Sequence, residues 1–168
     1  MTEQADNFNT TLFQYADGPT QLEAALIGLT ESDLNLAKMI NTWTIRQIVH
    51  HIADGDDIWK TCIKACLGNS EGLFSLQWYW DKPQTEWAES WGYANRGIDS
   101  SLVLLRANRH HIAELVRQTP NAWEKSIRLK WPDREEERIT IRDVLEMQAR
   151  HVFGHVNDIL MIRRTHNI

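Results

Sequence analysis

The chain has few of the features that mark secreted, membrane or nucleic-acid-binding proteins. Its 168 residues include only two cysteines, and no apolar run approaches the roughly 20 residues that cross a bilayer. Residues 1–18 have neither the basic start nor the apolar centre of a signal peptide. The net charge of -5 argues against a phosphate backbone as the main partner, because phosphate binding favours a basic face. These absences predict a cytoplasmic protein that binds neither membrane nor nucleic acid.

The chain does have the composition and periodicity of a helical domain. With 42% hydrophobic residues, a chain of this length predicts one compact domain over residues 1–168. Apolar residues recur at helical spacing in four stretches, which are residues 21–38, 44–67, 94–118 and 140–164. Helices near twenty residues long, joined by shorter segments, predict an all-α fold, an antiparallel four-helix bundle.

Two connections between these helices have unusual compositions. Residues 68–92, between the second and third helices, are rich in aromatic side chains: Phe74, Trp78, Tyr79, Trp80, Trp87 and Trp91. This segment is too apolar for a solvated loop, so we expect it to pack over one end of the bundle as a lid or an apolar wall for a substrate. Residues 126–129 and 138–140 suggest a small hairpin in the last connection.

Helical phase separates the histidines of the second and last helices. At about 100° per residue, His51 lies on the edge of the apolar stripe of its helix, whereas His50 projects away from it. His151 and His155 are four residues apart and share a face with Val144 and Ile159, so their imidazoles are neighbours one turn apart. That spacing lets two rings reach one ion, and His51 is the best-placed third ligand.

Other polar residues have less specific interpretations. Asp54 and Asp158 lie about one turn from these histidines and could orient a ligand or accept a proton. His110, His111 and His166 are interpreted as structural or solvated, with His111 as a further group of a pocket. Two cysteines share the face of His51, but Cys62 lies eleven residues away, about 16 Å along the helix and too far for one ion. We expect Cys62 and Cys66 to be buried core residues.

An alternative without metal remains open at this point. A histidine on an apolar face is commonly a core residue that a hydrogen bond satisfies, and pairs four residues apart also occur by chance. Burial of two such rings would then require separate partners for several ring nitrogens.

Two segments nevertheless resemble a known family. Residues 43–54 read Trp-Thr-Ile-Arg-Gln-Ile-Val-His-His-Ile-Ala-Asp, and residues 150–159 read Arg-His-Val-Phe-Gly-His-Val-Asn-Asp-Ile. They resemble the DinB superfamily, and especially its YfiT-like branch of metal-dependent hydrolases. Helix number, order and spacing agree along the chain, but only these two segments are diagnostic.

The resemblance implies a four-helix bundle that holds one divalent ion, zinc or nickel, on His51, His151 and His155. Imidazole ligands alone would suit zinc, nickel, copper or iron. Asp158 departs from the pattern, because YfiT-like members often carry a further histidine there. The resemblance also implies a homodimer.

Three functions follow as alternatives. The first is a hydrolase that uses a metal-activated water on an unknown small-molecule substrate, with Asp54 or Asp158 as the catalytic carboxylate. The second is a metal-dependent thiol transferase, in which a low-molecular-weight thiol occupies the open position of the ion. The third is a non-catalytic, stress-related metal-binding protein.

Overall fold

Four long helices form the body of the protein in a computed structural model that describes residues 2–168, with side chains from residue 8 onward. They are α1 (Thr2–Leu26), α2 (Ile45–Gly68), α5 (Asp99–Gln118) and α6 (Ile141–His166). Two short helices lie between α2 and α5, namely α3 (Gln77–Trp80) and α4 (Gln84–Ser90). The predicted four-helix bundle is confirmed.

A small three-stranded sheet closes one end of the bundle. Its strands are β1 (Leu73–Ser75), β2 (Ser126–Lys130) and β3 (Glu137–Thr140), in the order β1-β2-β3. The predicted hairpin is confirmed as the antiparallel pair of β2 and β3, with Ser126 opposite Thr140. The strand β1, which was not predicted, pairs in parallel with β2.

The core consists of two clusters of buried apolar residues, one at each end of the bundle, and the helix segments in each cluster show which way each helix runs. The lower apolar cluster joins the first half of α1, the second halves of α2 and α5, and the first turns of α6. The upper cluster joins the end of α1, the beginnings of α2 and α5, and the second half of α6. Two helices therefore run each way, and α2 and α5 run in the same direction because the connection of residues 69–98 leads back from the lower to the upper end.

Capping boxes fix the starts of α2 and α6 close to the predicted positions. The Thr44 hydroxyl accepts from the backbone N–H of Gln47, whose side chain accepts from the N–H of Thr44. Thr140 and Asp143 repeat this arrangement at the start of α6. Such reciprocal bonds satisfy donors that a helix leaves free at its first turn, so both helices begin where the sequence indicates.

The prediction for the first helix is wrong. The predicted range is residues 21–38, whereas α1 begins at Thr2 and ends at Leu26, before Gly28 at φ 81°. Gly18 and Pro19 both lie inside α1, where a proline ordinarily breaks a helix. Pro19 has no N–H for the carbonyl of Tyr15 one turn earlier, and that carbonyl accepts instead from Arg109 Nη1 at 2.7 Å.

The same arginine accounts for Gly18. A Cβ atom at that position would lie 2.5 Å from Arg109 Nη1, so only glycine leaves room for the guanidinium. The helix continues through Pro19 because a side chain from α5 replaces the missing donor. The third helix also begins later than predicted, at Asp99 rather than near residue 94.

Candidate metal centre

The three predicted histidines meet in the upper half of the bundle. His51 on α2 is 5% exposed and faces His151 and His155, which lie one turn apart on α6. The Nε2 atoms of His51 and His151 are 2.9 Å apart, and one ligand atom from each residue lies within 4.8 Å of the others. The ring centroids are 4.7–4.9 Å apart and the ring planes are nearly perpendicular to one another.

This spacing fits a single metal ion. A tetrahedral ion with bonds of about 2.0–2.1 Å to nitrogen places its ligand atoms about 3.3 Å apart. The histidine nitrogens bracket that value, from 2.9 Å for the closest pair to the 4.8 Å limit of the set. The residues present therefore fit an ion, with at least one position left for another molecule.

Burial keeps all three rings neutral. It lowers the pKa of His51 to about 2, with the neighbouring imidazoles acting in the same direction, and that of His151 to about 4. Burial also lowers the pKa of His155, although the carboxylate of Asp158 opposes this. A neutral imidazole has one nitrogen with a free lone pair, which is the form that binds a metal.

Two neighbours orient these rings. His155 Nδ1 donates to Asp158 Oδ2 at 3.2 Å, so its other nitrogen carries the lone pair. The Trp43 ring packs edge-on against His51 at 4.3 Å between centroids and lies parallel to His155 at 6.3 Å. A tryptophan just before the Thr44 cap thus covers two of the three rings.

A cavity of about 340 Å³ opens beside His155 and Asp158. Its other lining residues come mainly from the segment before α2: Lys38, Met39, Thr42 and Trp43, with Ile48 and Ile162. The aromatic connection is absent from this lining, so the predicted lid does not cover this cavity. Its rings instead pack on one another and on Trp59 and Trp131, and Phe74 and Trp80 pack against the lower apolar cluster.

Asp54 has different neighbours from Asp158. Its carboxylate lies beside the Tyr93 hydroxyl, whose pKa is raised by burial and by this charge, and 4.0 Å from the guanidinium of Arg96. His50 belongs to the same side of α2, where its ring nitrogens contact Ser101 Oγ at 2.8 Å and the Arg96 carbonyl at 3.2 Å. His50 is thus a fully buried core histidine with two partners, although its predicted phase pointed it away from the apolar stripe.

The remaining histidines lie on the surface. His110 and His111 are exposed on α5, and His111 does not line the cavity beside the cluster. His166 is exposed near the end of α6, where its ring contacts the Ala37 carbonyl. Cys62 and Cys66 are free and fully buried in the lower cluster, as predicted.

Sequence reasoning missed the polar layer below the histidines. Arg109 is fully buried and forms an ion pair with Asp56 at 2.9 Å. Its only signal in the sequence was a charged residue among the apolar positions of α5.

The fold and the site together define a helical-bundle protein with a tri-histidine cluster. The chain belongs to the DinB superfamily, whose family model matches residues 14–159. Among curated proteins it is similar to a "putative metal-dependent hydrolase" of Geobacillus thermodenitrificans, with 27% identity over 87% of this chain and 78% of that protein. A protein of the same description from Oceanobacillus iheyensis is 29% identical over 71% of this chain and 67% of its own length.

A solved structure shows the same fold. YfiT from Bacillus subtilis, described as a "probable metal-dependent hydrolase with an unusual four-helix bundle topology", superposes with a TM-score of 0.79. The match covers 95% of this chain and 87% of YfiT at 22% sequence identity. Within residues 2–168, no helix combines the length and apolarity needed to cross a bilayer.

Proposed function

We propose that His51, His151 and His155 bind one divalent metal ion, zinc or nickel, and that the protein is a hydrolase acting on a small molecule. The convergence of three neutral imidazoles from two helices is the observation that carries the proposal. The names of the two curated relatives support the same class of reaction. A divalent ion on neutral ligands keeps its full charge, and when bound it supplies a hydroxide near neutral pH by lowering the pKa of water.

The residues of this chain would contribute orientation and a place for the substrate. Asp158 accepts a hydrogen bond from Nδ1–H of His155 and lines the cavity, so it is the better placed of the two carboxylates to take up a proton from a reacting group. The catalytic role predicted for Asp54 stays a prediction, because its contacts are with Tyr93 and Arg96.

The cavity indicates the character of the substrate. Apolar side chains form most of its wall, including Trp43, Ile48 and Ile162, and one ammonium group, that of Lys38, lies at its rim. A volume of about 340 Å³ suits a molecule of modest size. An ester or amide with an apolar portion would place its carbonyl near His155 and the remainder against Trp43.

The first experiment measures binding of Zn²⁺ and Ni²⁺ to chelator-treated protein by calorimetry. We expect one ion per chain, and binding about 100-fold or more weaker in the His151→Ala variant, which loses one ligand. Metal-loaded protein is then assayed with p-nitrophenyl acetate, for which the expected rate exceeds that of His151→Ala. Absence of metal binding would contradict the whole proposal, and turnover that strictly requires an added thiol would contradict the hydrolase part.

A non-catalytic role gives a different result in the same experiments. In that case the wild-type protein binds one ion and its melting temperature rises with metal, but no rate above the His151→Ala variant appears across a panel of esters and amides. The homodimer and the cytoplasmic location stay predictions, which light scattering and cell fractionation would test.

A further inference from the structure

Arg109 joins α5 to the other three long helices just below the histidine cluster. Its Nε donates to Asp56 Oδ1 at 2.9 Å, and its Nη2 donates to the Gln148 carbonyl at 2.9 Å. These two N–H groups lie on the same edge of the planar guanidinium, so their acceptors lie side by side. The carboxylate of Asp56 on α2 is therefore next to the backbone of Gln148 on α6.

His151 lies directly above this layer. It follows Gln148 by three residues on α6, which makes the two side chains neighbours on one face. Its ring packs against α2 at Gly55, where an added Cβ would lie 3.5 Å from His151 Cε1, and Asp56 is the next residue. Because Nε2 of this ring points at His51, Nδ1 on the opposite side points away from the cluster, into the bundle.

Three polar atoms of this region have no hydrogen-bond partner within the described side chains. They are Asp56 Oδ2, Gln148 Oε1 and His151 Nδ1, and all three are buried. A buried polar atom without a partner costs free energy, so such atoms in a native protein commonly share an ordered water. A fourth atom of this kind, Trp123 Nε1, belongs to the lower end of the bundle.

We propose that Asp56 and Gln148 are positioning residues, which hold His151 in its metal-ligating tautomer through one buried water. The hydrogen-bond count of the three atoms supports this arrangement. The water accepts one bond from His151 Nδ1–H and donates its two hydrogens to Asp56 Oδ2 and Gln148 Oε1. Both acceptors are carbonyl-type oxygens, so they favour the proton on Nδ1 and leave the lone pair on Nε2, which faces His51.

The consequence for metal binding rests on the proposed function. A ligand histidine whose other nitrogen donates to a fixed acceptor is held in one tautomer and one orientation, and loss of such a partner typically weakens metal binding about 10- to 100-fold. Asp158 has this role for His155 by direct contact. The Asp56–Gln148 pair would have the same role for His151 from inside the core.

The tautomer can be measured without any metal. In the 2.9 Å contact between His51 and His151 either ring can be the donor, and the proposal requires that His51 donates. Long-range ¹H–¹⁵N correlation spectra of the metal-free protein should therefore show His151 with its proton on Nδ1. In the Gln148→Met variant, which keeps the side-chain volume and removes the acceptor, we expect a mixture of tautomers.

The second measurement is affinity for Zn²⁺ by competition with a chelating dye. Gln148→Met and Asp56→Asn should each bind Zn²⁺ about 10- to 100-fold more weakly than the wild type. Trp123→Phe is the matched control, because it removes an equally buried unpaired atom far from the histidines, and it should leave both readouts unchanged. Circular dichroism confirms that each variant is folded before it is compared.

The outcomes separate this proposal from the proposed function. If Gln148→Met keeps the wild-type tautomer, or binds Zn²⁺ within about threefold of the wild type, the positioning role is overturned. If the wild type binds no divalent ion, the proposed function fails, and the tautomer of metal-free His151 still tests the buried network on its own.

Discussion

Two pairs of residues that commonly bind metals lie at opposite ends of the bundle, and among the described residues only the histidine pair meets a third candidate ligand. His151 and His155 are one turn apart on α6 in the upper half. Cys62 and Cys66 have the same spacing on α2 in the lower half. The two pairs have the same spacing and both face the core, although the cysteines are fully buried and the histidines only partly buried.

The surroundings of the two pairs do distinguish them. The histidine pair meets His51 from another helix, and the lowered pKa values of the rings leave their lone pairs free at neutral pH. Burial raises the pKa of the Cys62 thiol to about 12 and that of Cys66 to about 11, which keeps both thiols protonated. A metal site therefore needs a third ligand from a neighbouring element and donors in the deprotonated form.

The largest expected effect is on Zn²⁺ affinity when one residue of each pair is replaced by alanine. Structural zinc sites with four ligands give about 10–16 kcal/mol, which is about 2.5–4 kcal/mol per ligand. His155→Ala should therefore weaken Zn²⁺ binding by about 100- to 1,000-fold. The matched variant Cys66→Ala should bind Zn²⁺ like the wild type in the same titration. Equal weakening in the two variants would mean that the ion does not bind at the histidine cluster.

The reactivity of the cysteine pair is the next effect in size. The thiolate is the reactive form, so Cys62 and Cys66 should react with Ellman's reagent about 100-fold or more slowly in the native protein than in urea. If both thiols of the native protein reacted with Ellman's reagent as fast as in urea, the burial of Cys62 and Cys66 in the lower cluster would be contradicted.

The pH dependence of stability has a definite sign for the same pair. Folding raises both pKa values above those of the unfolded thiols, so their contribution to stability is complete below about pH 8.5 and is lost as the pH rises towards 11–12. Urea unfolding should show that the free energy of unfolding falls less between pH 8 and pH 10 in the Cys62→Ala/Cys66→Ala variant than in the wild type.

Removal of the charge beside His155 should have a smaller effect. Asp158→Asn keeps an acceptor for the Nδ1 proton of His155 but removes the negative charge that favours it. Because the Asp158 side chain is 48% exposed, we expect a loss of Zn²⁺ affinity of about 10-fold, the lower limit of the range for such partners. The control is Asn157→Ala, on the exposed side of the same turn. An unchanged Zn²⁺ affinity in Asp158→Asn would contradict the role of Asp158 in orienting His155.

Local rules were sufficient for two of the four helices and for the three histidines. The starts of α2 and α6 depend on residues three apart, and the inward phase of His51 depends on one helix alone. Neither inference needed knowledge of the neighbouring helices. The resemblance to the DinB superfamily added the expectation that His51 of α2 and the histidine pair of α6 bind the same ion, which helical phase alone only suggested.

The parts that sequence reasoning missed depend on contacts between distant residues. Pro19 remains helical because Arg109, 90 positions later, donates to the Tyr15 carbonyl. The cavity wall depends on how residues 38–43 fold back beside α6, and the aromatic connection turns out to lie along α2 instead. No local pattern encodes these contacts, because the partner in each case is chosen by the packing of the bundle.

The smallest expected effect is that of removing the helix N-caps, Thr44 at the upper end of the bundle and Thr140 at the lower end. Thr44→Ala and Thr140→Ala each remove a hydroxyl that accepts a backbone N–H, so each should lower the free energy of unfolding by about 1 kcal/mol in urea titrations. Thr44 also fixes the chain next to Trp43, whose ring covers His51 and His155. We therefore expect Thr44→Ala, but not Thr140→Ala, to weaken Zn²⁺ binding slightly as well. If the two variants lose equal stability and bind Zn²⁺ equally well, Trp43 keeps its position without the cap. The position of the three histidines would then depend on the packing of the bundle core alone.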